Sequence, residues 1–232
     1  MFLENGDAFS LPTSQLVRIG ELIHEHLPNV RVISGYASVR NFVDKTDEDL
    51  RALRDLGFRE FNVGLESGLD DVLGFLNKGY DLETARTQLL RLREAGIPFT
   101  LNIINAAAGP ARLHEHAAAN AKIVNEVQPA LLFVTPLHVD KGSALERIVD
   151  DGGFKECTLG QYLDEQIEML EQLELENCLY FGVHISNPVK TMGWLPRDKQ
   201  QLLDELRAGR DRFSPQQLDS HPAKGLEGRM VL

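Results

Sequence analysis

The sequence predicts an α/β fold, an incomplete (β/α) TIM-like barrel of about six parallel strands. Three observations carry that expectation. Short apolar runs alternate with amphipathic segments of helical period almost from end to end. The repeat is roughly 30 residues long, the size of one strand–helix–strand step. Runs such as Ala130 to Thr135 are continuously apolar, as strands buried on both faces are. A doubly wound open sheet satisfies the same pattern.

Phe2-Leu3 reads as the end of a strand, and Pro12-Thr13-Ser14 opens a helix to about His26. Val30 to Ile33 is the next strand. Thr46, followed by Asp47, Glu48 and Asp49, has the composition of a capped helix start, and Gly57 ends that helix. Glu60 to Leu65 is strand-like and precedes a helix through Val72 and Leu76. Asp81 caps a longer helix that stops at Gly96. Phe99 to Ile104 is a strand, Pro110 starts a helix to about Val127, and Ala130 to Thr135 is the next strand. Ser143 to Val149 and Leu159 to Glu174 read as helices, Tyr180 to Val183 as a last strand, and Pro196 to about Ala208 as a last helix. Residues 1–212 form the predicted partial barrel. The tail, 213–232, is rich in Pro and Gly and is expected to be loose.

Composition narrows the function. The 232 residues carry 24 Lys and Arg against 35 Asp and Glu, a net charge of −11. Such a surface repels phosphate backbones and anionic lipid, so neither nucleic acid nor membrane is an expected partner. No apolar run is long enough to span a bilayer and no signal peptide is evident, which points to the cytoplasm. Cys157 and Cys178 fit no zinc or redox spacing, and no metal site is expected from them. His24-Glu25-His26 and His114-Glu115-His116 place their histidines on different helix faces, so both pairs read as solvated positions.

In barrels of this kind chemistry collects just beyond the C-terminal ends of the strands. Asn5-Gly6-Asp7 follows the first strand, with glycine permitting close backbone approach and a carboxylate able to accept from an ammonium group. It reads equally as a strand-to-helix turn. Ser34-Gly35-Tyr36 and Arg40 follow the Val30 strand, where a core tyrosine and a surface arginine are the plainer reading. Glu66-Ser67-Gly68 follows the strand at Val63. A glutamate at a buried strand end is costly unless paired, and a helix-capping role carries equal weight. Lys78 stands twelve positions beyond Glu66 and reads alternatively as an exposed helix terminus. Asn102 and Asn105 can offer inward amides, Asn105 being equally a turn former. Thr135 ends the next strand. His184, in Gly182-Val183-His184-Ile185-Ser186-Asn187, is either a general-base candidate or a hydrogen-bonded core histidine.

In this order and at these separations the signatures resemble the core of the radical S-adenosylmethionine enzymes. Within them the chain is similar to a bacterial group described as coproporphyrinogen oxidase-like iron–sulfur oxidoreductases. The resemblance runs from Phe2 to about Leu206, and takes in Leu195-Pro196-Arg197-Asp198-Lys199 near its end. It implies S-adenosylmethionine and a 4Fe-4S cluster as cofactors, and a 5′-deoxyadenosyl radical that takes hydrogen from a small substrate. It implies that Asn5, Gly6 and Asp7 receive the cofactor's amino group and that Lys78 faces its carboxylate. Ser34, Glu66, Ser67, Asn102, Asn105, Thr135 and His184 would line the same site. Catalytic residues and the substrate are not legible.

Members of that family hold the cluster on Cys-x3-Cys-x2-Cys, upstream of the first signature. This chain begins on that signature and has two cysteines in its second half. The expectation is therefore a piece of a longer enzyme, lacking the first β/α unit and unable alone to cleave the cofactor. Two alternatives stand beside it: a remnant that still binds S-adenosylmethionine or a nucleoside, and a non-radical hydrolase or lyase using Asp7, Glu66 and His184. An incomplete barrel exposes a sheet edge, so self-association to a homo-oligomer is also expected.

Overall fold

A computed structural model describes residues 1–4 and 6–220. The strands are β1 (Phe2–Leu3), β2 (Ser34–Ala37), β3 (Phe61–Glu66), β4 (Phe99–Asn105), β5 (Leu131–Pro136), β6 (Cys178–Gly182) and β7 (Thr191–Leu195). They form one seven-stranded sheet in that order. Every neighbouring pair from β1 to β6 is parallel, and β7 turns back antiparallel on β6. The sheet does not close. The fold is thus α/β and consistent with a partial barrel, with a seventh strand beyond the six anticipated.

The helices are α1 (Thr13–His26), α2 (Arg40–Val43), α3 (Asp47–Asp55), α4 (Asp70–Phe75), α5 (Leu82–Glu94), α6 (Leu113–Val127), α7 (Ala144–Asp150), α8 (Leu159–Gln172), α9 (Lys199–Arg210) and α10 (Pro215–Leu218). Their starts follow local chemistry. Thr46 and Asp49 form a reciprocal capping box on α3, Thr158 and Gln161 on α8, and Asp81 accepts from the Thr84 N–H on α5.

Alternation along the strands gives the sheet two unlike faces. Val63, Leu65, Leu101, Ile103, Leu132, Val134 and Tyr180 are buried, in one core with Leu50, Leu53, Leu89, Leu92, Val124 and Leu170 from the helices. The intervening residues (Asn62, Thr100, Asn102, Leu131, Phe133, Leu179 and Phe181) point to the opposite, inner face and are only half-buried. The apolar run at β5 is therefore covered on one side and open on the other, because the sheet has not curled round to bury it.

Three boundaries differ from expectation. Val30 to Ile33 is not a strand: Ile33 makes one isolated bridge to Phe58, and β2 begins at Ser34. Strand propensity favours the valine and isoleucine, whereas pairing with β1 selects Gly35, where a Cβ would stand 3.1 Å from the Leu3 carbonyl oxygen. β7 carries Gly193, a weak strand former, and its side chains alternate only in the hairpin with β6. The tail expected to be loose begins with an ordered turn. Ser214 and Gln217 cap α10, and the Leu159 N–H donates to Ser220 O at 2.8 Å, tying it to α8. The rest of that tail, 221–232, lies outside the described residues.

Candidate functional site

The inner face at the end of β3 is the most elaborated place on the sheet. Gly64 pairs with Asn102 and Glu66 with Ile103, so one extra residue is inserted into β3. The insertion takes Glu66 to φ +76, a left-handed conformation rare for a residue with a side chain. Its carboxylate then folds back over Gly64, where a Cβ would lie 2.2 Å from Glu66 Oε1. Glycine at 64 leaves the carboxylate room for that position. Lys78 arrives from the turn after α4 and donates from Nζ to Glu66 Oε1 at 3.2 Å. Tyr80 donates to the Gly64 carbonyl at 2.6 Å, and burial pushes its hydroxyl pKa up. Burial likewise raises the Glu66 pKa, and Lys78 opposes that shift. The result is a partly shielded ion pair held by a bulge, a glycine and a tyrosine.

Beside it the face changes character. Asn102 neighbours Gly64 on one side and Phe133 on the other, and its Oδ1 is buried without a hydrogen-bond partner. Phe133 stacks on Phe181 with ring centroids 5.1 Å apart, and the exposed His184 ring meets Phe133 edge-on at 5.7 Å. His184 Nδ1 lies 2.6 Å from Ser186 Oγ. Thr135, at the end of β5, shares this face with Ile104. Charge, amide and flat aromatic surface thus run across the strand ends from β3 to β6. Such a face can grip a ligand with a zwitterionic end and a planar end.

The remaining candidate residues stand elsewhere. Asn5 lies outside the described residues. Gly6 takes φ +67, as its residue type allows, and Asp7 Oδ2 accepts from Asn41 Nδ2 at 3.0 Å. Ser34 contacts the Met1 carbonyl across the β1–β2 edge at 3.3 Å. Ser67 and Asn105 are fully buried, Ser67 with its Oγ 3.0 Å from His116 Nε2. Asp7, Glu66 and His184 each keep a separate partner and do not meet in one contact.

His116 corrects the sequence reading, which had it solvated. It is 0% exposed, whereas His114 is exposed beside Glu168. Helical phase was the available signal, since His116, Ala117, Asn120, Ala121, Ile123, Val124 and Val127 form the buried face of α6.

The donor set does not fit a four-iron cluster. Cys157 and Cys178 are both buried, and burial pushes both thiols up to about 12, away from the thiolate that iron requires. Cys157 packs with Leu159, Tyr162 and Leu163, and Cys178 sits at the start of β6, the end remote from the candidate face. Among the described residues no group of three or more His, Cys, Asp or Glu side chains is placed to hold a metal ion. Among the described residues no helix is long and apolar enough to cross a membrane.

No protein-family model matches the chain, and no curated protein matches it by sequence. Solved structures do match its shape. Elp3 from the archaeon Methanocaldococcus infernus, with its N-terminus deleted, superposes with a TM-score of 0.64 at 11% identity, covering 91% of this chain and 53% of that one. Coproporphyrinogen III oxidase from Escherichia coli, described as a radical SAM enzyme, superposes with a TM-score of 0.59 at 24% identity, over 73% of this chain and 38% of the other. The chain shares the fold of that radical SAM enzyme. Methylornithine synthase has the same arrangement, with a TM-score of 0.51 at 14% identity over 94% of this chain and 66% of its own. The chain therefore spans about half, and about two fifths, of the length of the first two structures.

Proposed function

We propose that this chain is a radical S-adenosylmethionine-type domain, of the coproporphyrinogen oxidase-like group, whose inner face binds the cofactor. The observation that carries the proposal is the Glu66–Lys78 pair at the bulged end of β3, beside an unpartnered Asn102 and the Phe133–Phe181 stack. S-adenosylmethionine has an ammonium group for Glu66, a carboxylate for Lys78 and a nucleoside for the amide and aromatic surface. Bound to a reduced cluster, that cofactor supplies a 5′-deoxyadenosyl radical. The residues present suit the organic cofactor and not the cluster, so no radical step is assigned to this chain's own side chains. Its part is to bind, to orient and to exclude water.

The hydrolase or lyase reading loses support from the separate partners of Asp7, Glu66 and His184. Two measurements separate the remaining readings. Calorimetry with S-adenosylmethionine should give saturable binding that is lost in E66Q/K78M. Anaerobic reconstitution with iron and sulfide should leave the chain without the cluster's visible absorption. Binding without absorption supports the proposal. Absence of binding defeats it, and a stable cluster on the chain alone contradicts the account of its thiols.

A further inference from the structure

Behind the candidate face lies a buried polar network that the proposed binding site does not use, complete but for Glu165 Oε2, which has no hydrogen-bond partner. His116 on α6 places Nδ1 2.8 Å from Glu165 Oε1 on α8, and both side chains are 0% exposed. Its Nε2 is 3.0 Å from Ser67 Oγ and 3.3 Å from Asn120 Nδ2. The orientation of the Asn120 amide is fixed independently, because its Oδ1 accepts from the Gly68 N–H at 2.6 Å. An NH2 group therefore faces Nε2, and an amide NH2 donates hydrogens but has no free lone pair with which to accept one. Nε2 must be the acceptor, and Nδ1 carries the hydrogen donated to Glu165. Cys157 and Tyr162 feel the charge of Glu165, and Glu115, exposed on α6, feels that of His116.

The partner order resembles that of a hydrolytic triad. Its burial denies a substrate any path, and Ser67 Oγ already accepts the Leu69 N–H at 3.1 Å. What the network does hold is backbone. Through Asn120 and Ser67 it takes up the N–H groups of Gly68 and Leu69, two and three residues after Glu66. Through Glu165 Oε1 it takes up the N–H of Ala106 at 2.9 Å, immediately after β4. Glu66 and Ala106, at the C-terminal ends of β3 and β4, both lie in the left-handed region, at φ +76 and +68. Gly68 lies so close to α6 that a Cβ would stand 2.4 Å from the Ala119 carbonyl oxygen.

We propose that His116, neutral and protonated on Nδ1, is a positioning residue that locks the ends of β3 and β4 to α6 and α8, and so sets Glu66 and Asn102 on the opposite face. Only the ligand arm of its test rests on the cofactor-binding proposal. Long-range proton–nitrogen spectra of the full chain report which imidazole nitrogen carries the hydrogen. The wild type is expected to show it on Nδ1 of His116. E165L removes the acceptor and is expected to move it toward Nε2, to speed exchange of the Gly68 and Ala106 amides, and to shift the signals of Glu66 and Lys78. E165Q keeps an Oε1 for both donors and restores the wild-type pattern. Affinity for S-adenosylmethionine should fall about tenfold in E165L, the equivalent of one unmade hydrogen bond, and recover in E165Q. If E165L does not fold, S67A decides through the Leu69 amide and the same Glu66 and Lys78 signals. A hydrogen on Nε2 in the wild type, or a folded variant with Glu66 and Lys78 undisturbed, overturns the proposal. A wild type that fails to bind the cofactor defeats the functional reading instead, and the tautomer and the Glu66 response still judge His116.

Discussion

At Glu66, burial and the Lys78 ammonium act in opposite directions. Burial raises its pKa, so the folded state binds a proton at a pH where the unfolded chain has released it. Glu66 therefore lowers stability above its folded pKa, and that cost disappears as pH falls below the unfolded value. Lys78 limits the cost by pairing. K78M leaves the carboxylate unpaired and should destabilise the chain by about 2 kcal/mol at neutral pH. The deficit should shrink in mildly acid solution, where Glu66 protonates, and E66Q/K78M should recover most of it. Urea denaturation at the two pH values checks this, and an equal deficit at both would contradict it. G64A acts on the same pair from below. Its Cβ would stand 2.2 Å from Glu66 Oε1 and 3.2 Å from Lys78 Nζ, so the pair must move and ligand affinity should fall with it.

At the scale of elements, glycines and caps decide where strands hand over to helices. G68A sets a Cβ against the α6 backbone, where no flexible side chain can yield, and should cost about 3 kcal/mol or more. T46A removes one half of the capping box at the exposed start of α3 and should cost only about 1 kcal/mol. Thermal melts of the two variants should differ in that order, and a G68A protein as stable as T46A would contradict the close packing of β3 on α6. The same local chemistry explains what was legible in sequence. Thr46 and Asp81 announce helix starts because capping is encoded within four residues. β2 and β7 were misplaced or missed because their pairing depends on Leu3 and on the β6 hairpin, which propensity does not see. Ser67 and Asn105 were read as candidates because they follow strands, yet alternation and the backbone turn them into the helix layer. His116 and Glu165 lie 49 positions apart, a separation at which no local pattern links them.

Over the whole molecule, the sheet's openness governs behaviour. Phe2 and Tyr36 at one end of the inner face are 43% and 44% exposed, and Met192 and Trp194 at the other are 51% and 41% exposed. Apolar groups of that size on an unclosed sheet favour association, while a net charge of −11 opposes it. Sedimentation is expected to give reversible self-association that strengthens with salt and weakens in W194R. A salt-independent monomer would contradict that expectation. The same openness leaves the strand ends reachable by a small molecule. Mapping amide and side-chain shifts of the full chain during titration with S-adenosylmethionine tests it most directly. Saturable shifts are expected at Glu66, Lys78, Asn102 and Phe181. Shifts confined to other surfaces, or none at all, would contradict this.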